Sequence, residues 1–238
     1  DIETIVREAR KIKPDLYIIC DSVQHTPHGL FDMQTCPVDA VNFAPYKFGG
    51  IRGLGAGWIS ERVMNLPHRK LIQERQDNWE MGGCAPAQYA ALSAIFDYVC
   101  WLGSNFIDTD NRRDLYVEGM TRITLHERAL LDRLLHGSAE VPGVLDIPGV
   151  HCAVEMDNLA ERDLIVPLVF DNMTCEEASR AYEENGVVVH ERTDASLYSA
   201  RQVNSIGKHG IVRISPLHCH TFDDIDEFLK ITAKIAAK

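Results

Sequence analysis

No run of apolar residues in this sequence reaches the roughly 18 needed to span a bilayer, and no secretory leader pattern opens it. Cationic residues are scarce: 24 Lys and Arg stand against 35 Asp and Glu, a formal net charge of -11. Nucleic-acid phosphate is held by a basic surface, so that class of partner is excluded. CxxC pairs are missing. The seven cysteines (Cys20, Cys36, Cys84, Cys100, Cys152, Cys175 and Cys219) are dispersed and odd in number, which reads as reduced thiols rather than a disulfide framework. His25 with His28, and His218 with His220 around Cys219, lack the ligand spacing of a structural zinc site, so no metal is expected. Low-complexity tracts and internal repeats are absent, and the G-x-x-x-x-G-K order of a nucleotide-binding phosphate loop is not found. A cytoplasmic protein remains.

What is present suffices for one large core or two modest ones: 238 residues, 45% of them hydrophobic. The chain starts in an amphipathic helix with Ile2, Ile5, Val6, Ala9 and Ile12 on one face. After Lys13-Pro14-Asp15 the run Leu16 to Cys20 predicts a buried parallel strand. A domain rarely begins in mid-rhythm like this, and we expect the N-terminal part of a longer polypeptide to precede Asp1. Val38 to Phe43 and Ala56 to Ser60 read as further strands, Pro86 to Gly103 as an Ala-rich helix, and Asp110 to His136 as a long helix that Gly119 threatens to interrupt. Shorter elements follow. A strand at Leu164 to Phe170 precedes a helix capped by Thr174; strands at Gly186 to His190 and Ile211 to Ser215 precede a closing helix at Phe222 to Ala236.

Chemistry concentrates at the ends of the first two strands. Asp21 and Gln24 follow one strand and Lys47 follows the next, with Gly49, Gly50, Gly53 and Gly55 close behind. In open α/β sheets ligands bind outside the carboxyl ends of such strands. A lysine beside a glycine-rich anion-binding turn loses its proton more easily than a surface lysine, and a carboxylate there can keep a heteroaromatic nitrogen protonated. Together they are the minimum for holding pyridoxal 5'-phosphate (PLP): a Schiff-base lysine and a partner for the pyridinium nitrogen. Singly each is weak, since an Asp after a strand is most often a turn residue.

D-S-V-Q-H (Asp21 to His25) with Y-K-F-G-G-I-R-G-L-G-A-G-W (Tyr46 to Trp58) resembles the class V aminotransferase and cysteine desulfurase superfamily. Far downstream, V-R-I-S-P-L-H-C-H-T-F-D-D-I-D-E-F-L resembles the segment that closes those proteins. The resemblance implies an α/β fold: the C-terminal part of a PLP-dependent transferase fold, with a three-layer α/β/α large domain (1–107), a long connecting helix (108–137) and a small α+β C-terminal domain (138–238). It implies that Asp21 pairs with the pyridinium nitrogen, Gln24 donates to the phenolic oxygen, Tyr46 donates to the phosphate, and Lys47 forms the Schiff base and moves protons at the substrate α-carbon. It implies too that Arg213 takes the substrate α-carboxylate in a forked contact. A homodimer is implied as well, with α-helical aromatics Tyr89, Phe96, Tyr98 and Trp101 as candidates for core or interface.

Departures from the family pattern narrow the activity. Ala44 and Tyr46 replace a hydroxyl residue and a histidine near the phosphate, and Gly82-Gly83 stands where Gly-Thr is usual. The loop Glu191 to Ser199 has no cysteine where desulfurases carry their nucleophile. Cys175, at a helix start where a thiol can be activated, is out of place. The expected activity is class V transamination of a small amino acid. Alternatives are a C–S lyase or an isopenicillin-N-epimerase-like enzyme lacking that cysteine, or a catalytically silent fragment or dimer module.

Overall fold

The computed structural model describes residues 1–154 and 157–238. They form two compact units, Asp1–Ile123 and Thr124–Lys238. The first holds α1 (Ile2–Ile12), β1 (Ile19–Asp21), β2 (Ala40–Phe43), β3 (Ala56–Ile59), α2 (Glu61–Met64) and α3 (Pro86–Ser104). Helix α4 (Arg112–His136) runs across the division. The second unit adds β4 (Val150–Cys152), β5 (Val166–Phe170), α5 (Cys175–Glu184), β6 (His190–Thr193), α6 (Ala200–Ser205), β7 (Gly210–Ile214) and α7 (Phe222–Ala236).

In the first unit β1 and β2 are parallel, with Ile19 opposite Ala40 and Asp21 opposite Asn42, while β3 returns antiparallel to β2. The strand expected at Leu16 to Cys20 is shorter, shifted toward Asp21, and not buried: Ile19 is 71% exposed. The cause is position, since β1 is an edge of its three-stranded sheet. Of the apolar face of α1 only Val6 is buried, against Cys36 and Val38, while Ile12 is 89% exposed. A buried carboxylate knits these elements. Asp39 accepts from the Ile18 backbone N–H at 2.9 Å and from Arg10 Nη2 at 3.0 Å, and lies 3.5 Å from Arg62 Nε.

Helices α3 and α4 cross at close range within this unit. A Cβ on Gly103 would stand 2.0 Å from the Leu115 carbonyl oxygen, and one on Gly119 would stand 2.1 Å from that of Val99. Gly119 therefore does not interrupt α4; the close approach of another backbone requires it. Ile95 and Val99 of α3 pack against Met120 and Ile123 of α4, together with Phe48. Tyr89, Phe96 and Trp101, on the same helix, are exposed at 42%, 40% and 61%.

The second unit is an antiparallel sheet in the order β4-β5-β7-β6. One face carries Val166, Leu168, Val212 and Ile214 into a core shared with Ala178 and Tyr182 of α5 and Phe228, Leu229 and Ile235 of α7. Thr174 caps α5 by accepting from the Glu177 N–H while the Glu177 side chain accepts from the Thr174 N–H, a reciprocal capping box. Buried Tyr182 stacks on Phe228 at 5.2 Å, and its hydroxyl lies 2.7 Å from Thr232 Oγ1. The strand expected at Gly186 to His190 lies instead at His190–Thr193, because pairing with β7 begins at His190 opposite Arg213. Val188, expected within it, is 79% exposed.

Candidate active site

Two parallel strands fix the first group of side chains. Asp21 ends β1 and faces Asn42 near the end of β2. Its Oδ1 accepts from Asn42 Nδ2 at 3.1 Å and from the Val23 N–H at 3.2 Å. The carboxylate is thus held at the carboxyl edge of the sheet and remains exposed. Gln24 lies in the turn that follows and is exposed.

Lys47 sits in a single 3-10 turn, Pro45–Phe48, directly after β2. Pro45 opens the turn with its φ already set, and Gly49 closes it at φ 82, a left-handed conformation that disfavours other residues. Phe48 anchors the turn in the α3–α4 core, and Gly50 is needed because a Cβ there would meet the Pro45 carbonyl at 2.8 Å. With both neighbours fixed, half-buried Lys47 leaves from a rigid support. The Tyr46 ring has the Arg52 guanidinium 4.5 Å from its centroid and Lys47 Nζ 6.0 Å away, so two cations flank one phenol. Neither Asn42 nor Arg52 stands out in the sequence; the strand register and the turn bring them in. Gly82 and Gly83 are exposed, with open space where a Cβ would go.

Arg213 belongs to the second unit. It lies on β7 between Pro167 of β5 and His190 of β6, on the sheet face opposite the core. Nη2 donates to Ser215 Oγ at 3.3 Å, while the buried Nε has no hydrogen-bond partner. Burial, and next the charge of Arg192, pull its pKa below the usual arginine value. A cavity of about 450 Å³ opens beside it, lined also by Val187, Val189, Ser215, His220 and Phe228. A half-buried guanidinium with an unpartnered Nε beside a cavity is suited to receive a carboxylate.

The Glu191 to Ser199 loop supplies no thiol, and Leu197 and Tyr198 at its tip are 88% and 92% exposed. Cys175, at the start of α5, is not activated by the helix. Burial, and then its contact with Glu176 Oε2 at 3.1 Å, push the thiol up to about 12. Among the described residues no helix is long and apolar enough to cross a membrane.

The profile of the aminotransferase class-V family matches residues 1–113. A probable cysteine desulfurase of Mycoplasma genitalium is 31% identical over 83 residues, 35% of this chain and 18% of that protein. Probable cysteine desulfurase 1 of Mycobacterium leprae is 24% identical over 92% of this chain, which spans 34% of its length. The apo structure of a cysteine desulfurase from Thermococcus onnurineus superposes with a TM-score of 0.73 at 17% identity, covering 98% of this chain and 56% of that one. Residues 1–113 thus resemble the aminotransferase class-V family, and the fold is that of cysteine desulfurase structures.

Proposed function

We propose that the chain is part of a PLP-dependent aminotransferase acting on a small amino acid, with Lys47 as the residue that binds the cofactor covalently. The placement of Asp21 at, and Lys47 just beyond, the carboxyl ends of two neighbouring parallel strands carries this reading. The residues fit the cofactor. Asp21, steadied by Asn42, offers a carboxylate to a pyridinium nitrogen, and Gln24 offers an amide to a phenolic oxygen. Tyr46, with Arg52 against its ring, offers a hydroxyl and a nearby positive charge to a phosphate.

When bound, PLP supplies the electron sink that makes bonds at an amino acid's α-carbon breakable. The protein's part is positioning and proton transfer. Asp21 would hold the ring nitrogen and favour its protonated form through its negative charge. Lys47 would hold the cofactor and would serve as the base that takes the substrate α-proton and returns it. Arg213, with its unpartnered Nε beside a cavity, is the residue we assign to the substrate α-carboxylate.

Transamination is favoured over desulfuration because no thiol stands in Glu191 to Ser199 and Cys175 is held protonated. We further propose a cytoplasmic homodimer, for which the exposed aromatics of α3 supply apolar surface. Borohydride reduction of the PLP-loaded protein should fix the cofactor on the peptide containing Lys47. An unchanged adduct in Lys47→Ala would refute the assignment. Keto-acid formation without sulfide release from cysteine would separate transamination from desulfuration.

A further inference from the structure

The sheet face that bears Arg213 holds a second arginine. Across β6 and β7, His190 faces Arg213 and Arg192 faces Ile211. Opposed residues in a ladder share a face, and so do residues two apart on one strand. Arg192 and Arg213 are therefore diagonal neighbours on one face, about 7 Å apart by the usual spacing of such pairs. Arg192 is close enough for its charge to disfavour that of Arg213.

Each arginine is only partly used. Arg192 Nη1 donates to the Glu191 carbonyl at 2.8 Å, and Arg213 Nη2 to Ser215 Oγ at 3.3 Å. Glu176 and Glu191 line a cavity of about 490 Å³ together with Arg192. Glu176, however, is occupied by the Cys175 thiol, and Glu191 alternates to the opposite sheet face from Arg192. Among the described residues no carboxylate forms an ion pair with either arginine. Like charges placed diagonally on a sheet disfavour each other. Two neighbouring unpaired guanidinium forks, one with a buried orphan Nε, call for more than one anionic group.

We propose that Arg192 is a second anion-binding residue and that the substrate is a dicarboxylic amino acid, its α-carboxylate on Arg213 and its side-chain carboxylate on Arg192. The identification of the substrate rests on the PLP reading above. The pairing of the two arginines with a dicarboxylate does not. One carboxylate leaves a cation unpaired beside a desolvated one; two carboxylates joined by a short carbon chain pair both.

Two measurements test this on the full chain. Without PLP, succinate should raise the melting temperature more than acetate does at equal concentration, and Arg192→Gln should remove the difference. Arg192→Lys, which keeps the charge but not the fork, should restore part of it. With PLP, spectral titration should show aspartate or glutamate binding roughly tenfold more tightly than alanine, the factor expected from about 1.4 kcal/mol, and Arg192→Gln should bring that ratio close to one. Equal responses to succinate and acetate would overturn the proposal, as would an Arg192→Gln variant that retains the preference. Inorganic phosphate protecting as well as succinate, through Arg192, would overturn the dicarboxylate assignment in favour of a phosphorylated ligand. The succinate measurement needs no cofactor, so it stands even if borohydride fixes nothing on Lys47.

Discussion

Asn42 Nδ2 donates to Asp21 Oδ1 at 3.1 Å across the parallel β1–β2 pair. The carboxylate that we assign to the pyridinium nitrogen is therefore held by a residue of the neighbouring strand. Asn42→Ala removes one hydrogen bond to a charged group at an exposed edge, worth about 1 kcal/mol. Its PLP dissociation constant should rise roughly fivefold, measured by cofactor absorbance, whereas Asp21→Ala should lose the protonated-ring spectrum altogether. An Asn42→Ala protein with unaltered affinity would show that Asp21 needs no such support.

Asp39 offers a stability test. Its side chain is 3% exposed and is shared by Arg10, Arg62 and the Ile18 N–H. Asp39→Ala leaves a part-buried guanidinium and a backbone donor without their acceptor. Removing one side of such a pair costs about 3 kcal/mol. Thermal or urea unfolding should report a loss of that size. Arg62→Ala, whose side chain is 41% exposed, should cost well under half as much.

The Tyr182–Thr232 contact predicts an asymmetry. Thr232 Oγ1 also lies 2.8 Å from the Phe228 carbonyl. Tyr182→Phe removes one hydroxyl and leaves Thr232 with that acceptor, at a cost of about 1 kcal/mol. Thr232→Val strands the buried Tyr182 hydroxyl and should cost about 2 kcal/mol. Equal losses in denaturant titrations would contradict this ordering.

For Cys175 the expectation is chemical. Its thiol is pushed from 9.0 up to about 12 by burial and by Glu176, so the native state favours the protonated form. That contribution to stability is whole below pH 9, the unfolded value, and is lost as pH rises toward about 12. At pH 8, iodoacetamide should label exposed Cys219 well ahead of Cys175. The reverse order would revive Cys175 as a candidate nucleophile.

Much of this fold was legible because its signals are local. The closing helix read at Phe222 to Ala236 is α7 with the same bounds, and the start of α5 follows from Thr174. What eluded sequence reasoning depends on partners far away in the chain. Val187 to Val189 have strong strand propensity, yet β6 begins at His190 because that residue meets Arg213 in the ladder. The three-residue β4 is defined by its pairing with β5 and has no pattern of its own. The same division holds at the candidate site. Asp21, Gln24, Tyr46, Lys47 and Arg213 stand in recognisable motifs. Asn42, Arg52 and Arg192 gain meaning only from register and from a folded turn.

The glycine contacts between α3 and α4 also constrain how the sequence can vary. At Gly103 and Gly119 the two helices meet main chain to main chain, so their separation there is set by atoms that every amino acid shares. Side chains elsewhere along the crossing, such as Ile95 or Met120, can be exchanged for others of similar bulk while the helices keep their spacing. Alanine at either glycine adds only one carbon, yet it would force the helices apart and with them the Phe48 anchor beneath Lys47. Tolerance to substitution along this crossing should therefore run opposite to side-chain size, with the two smallest residues the hardest to replace.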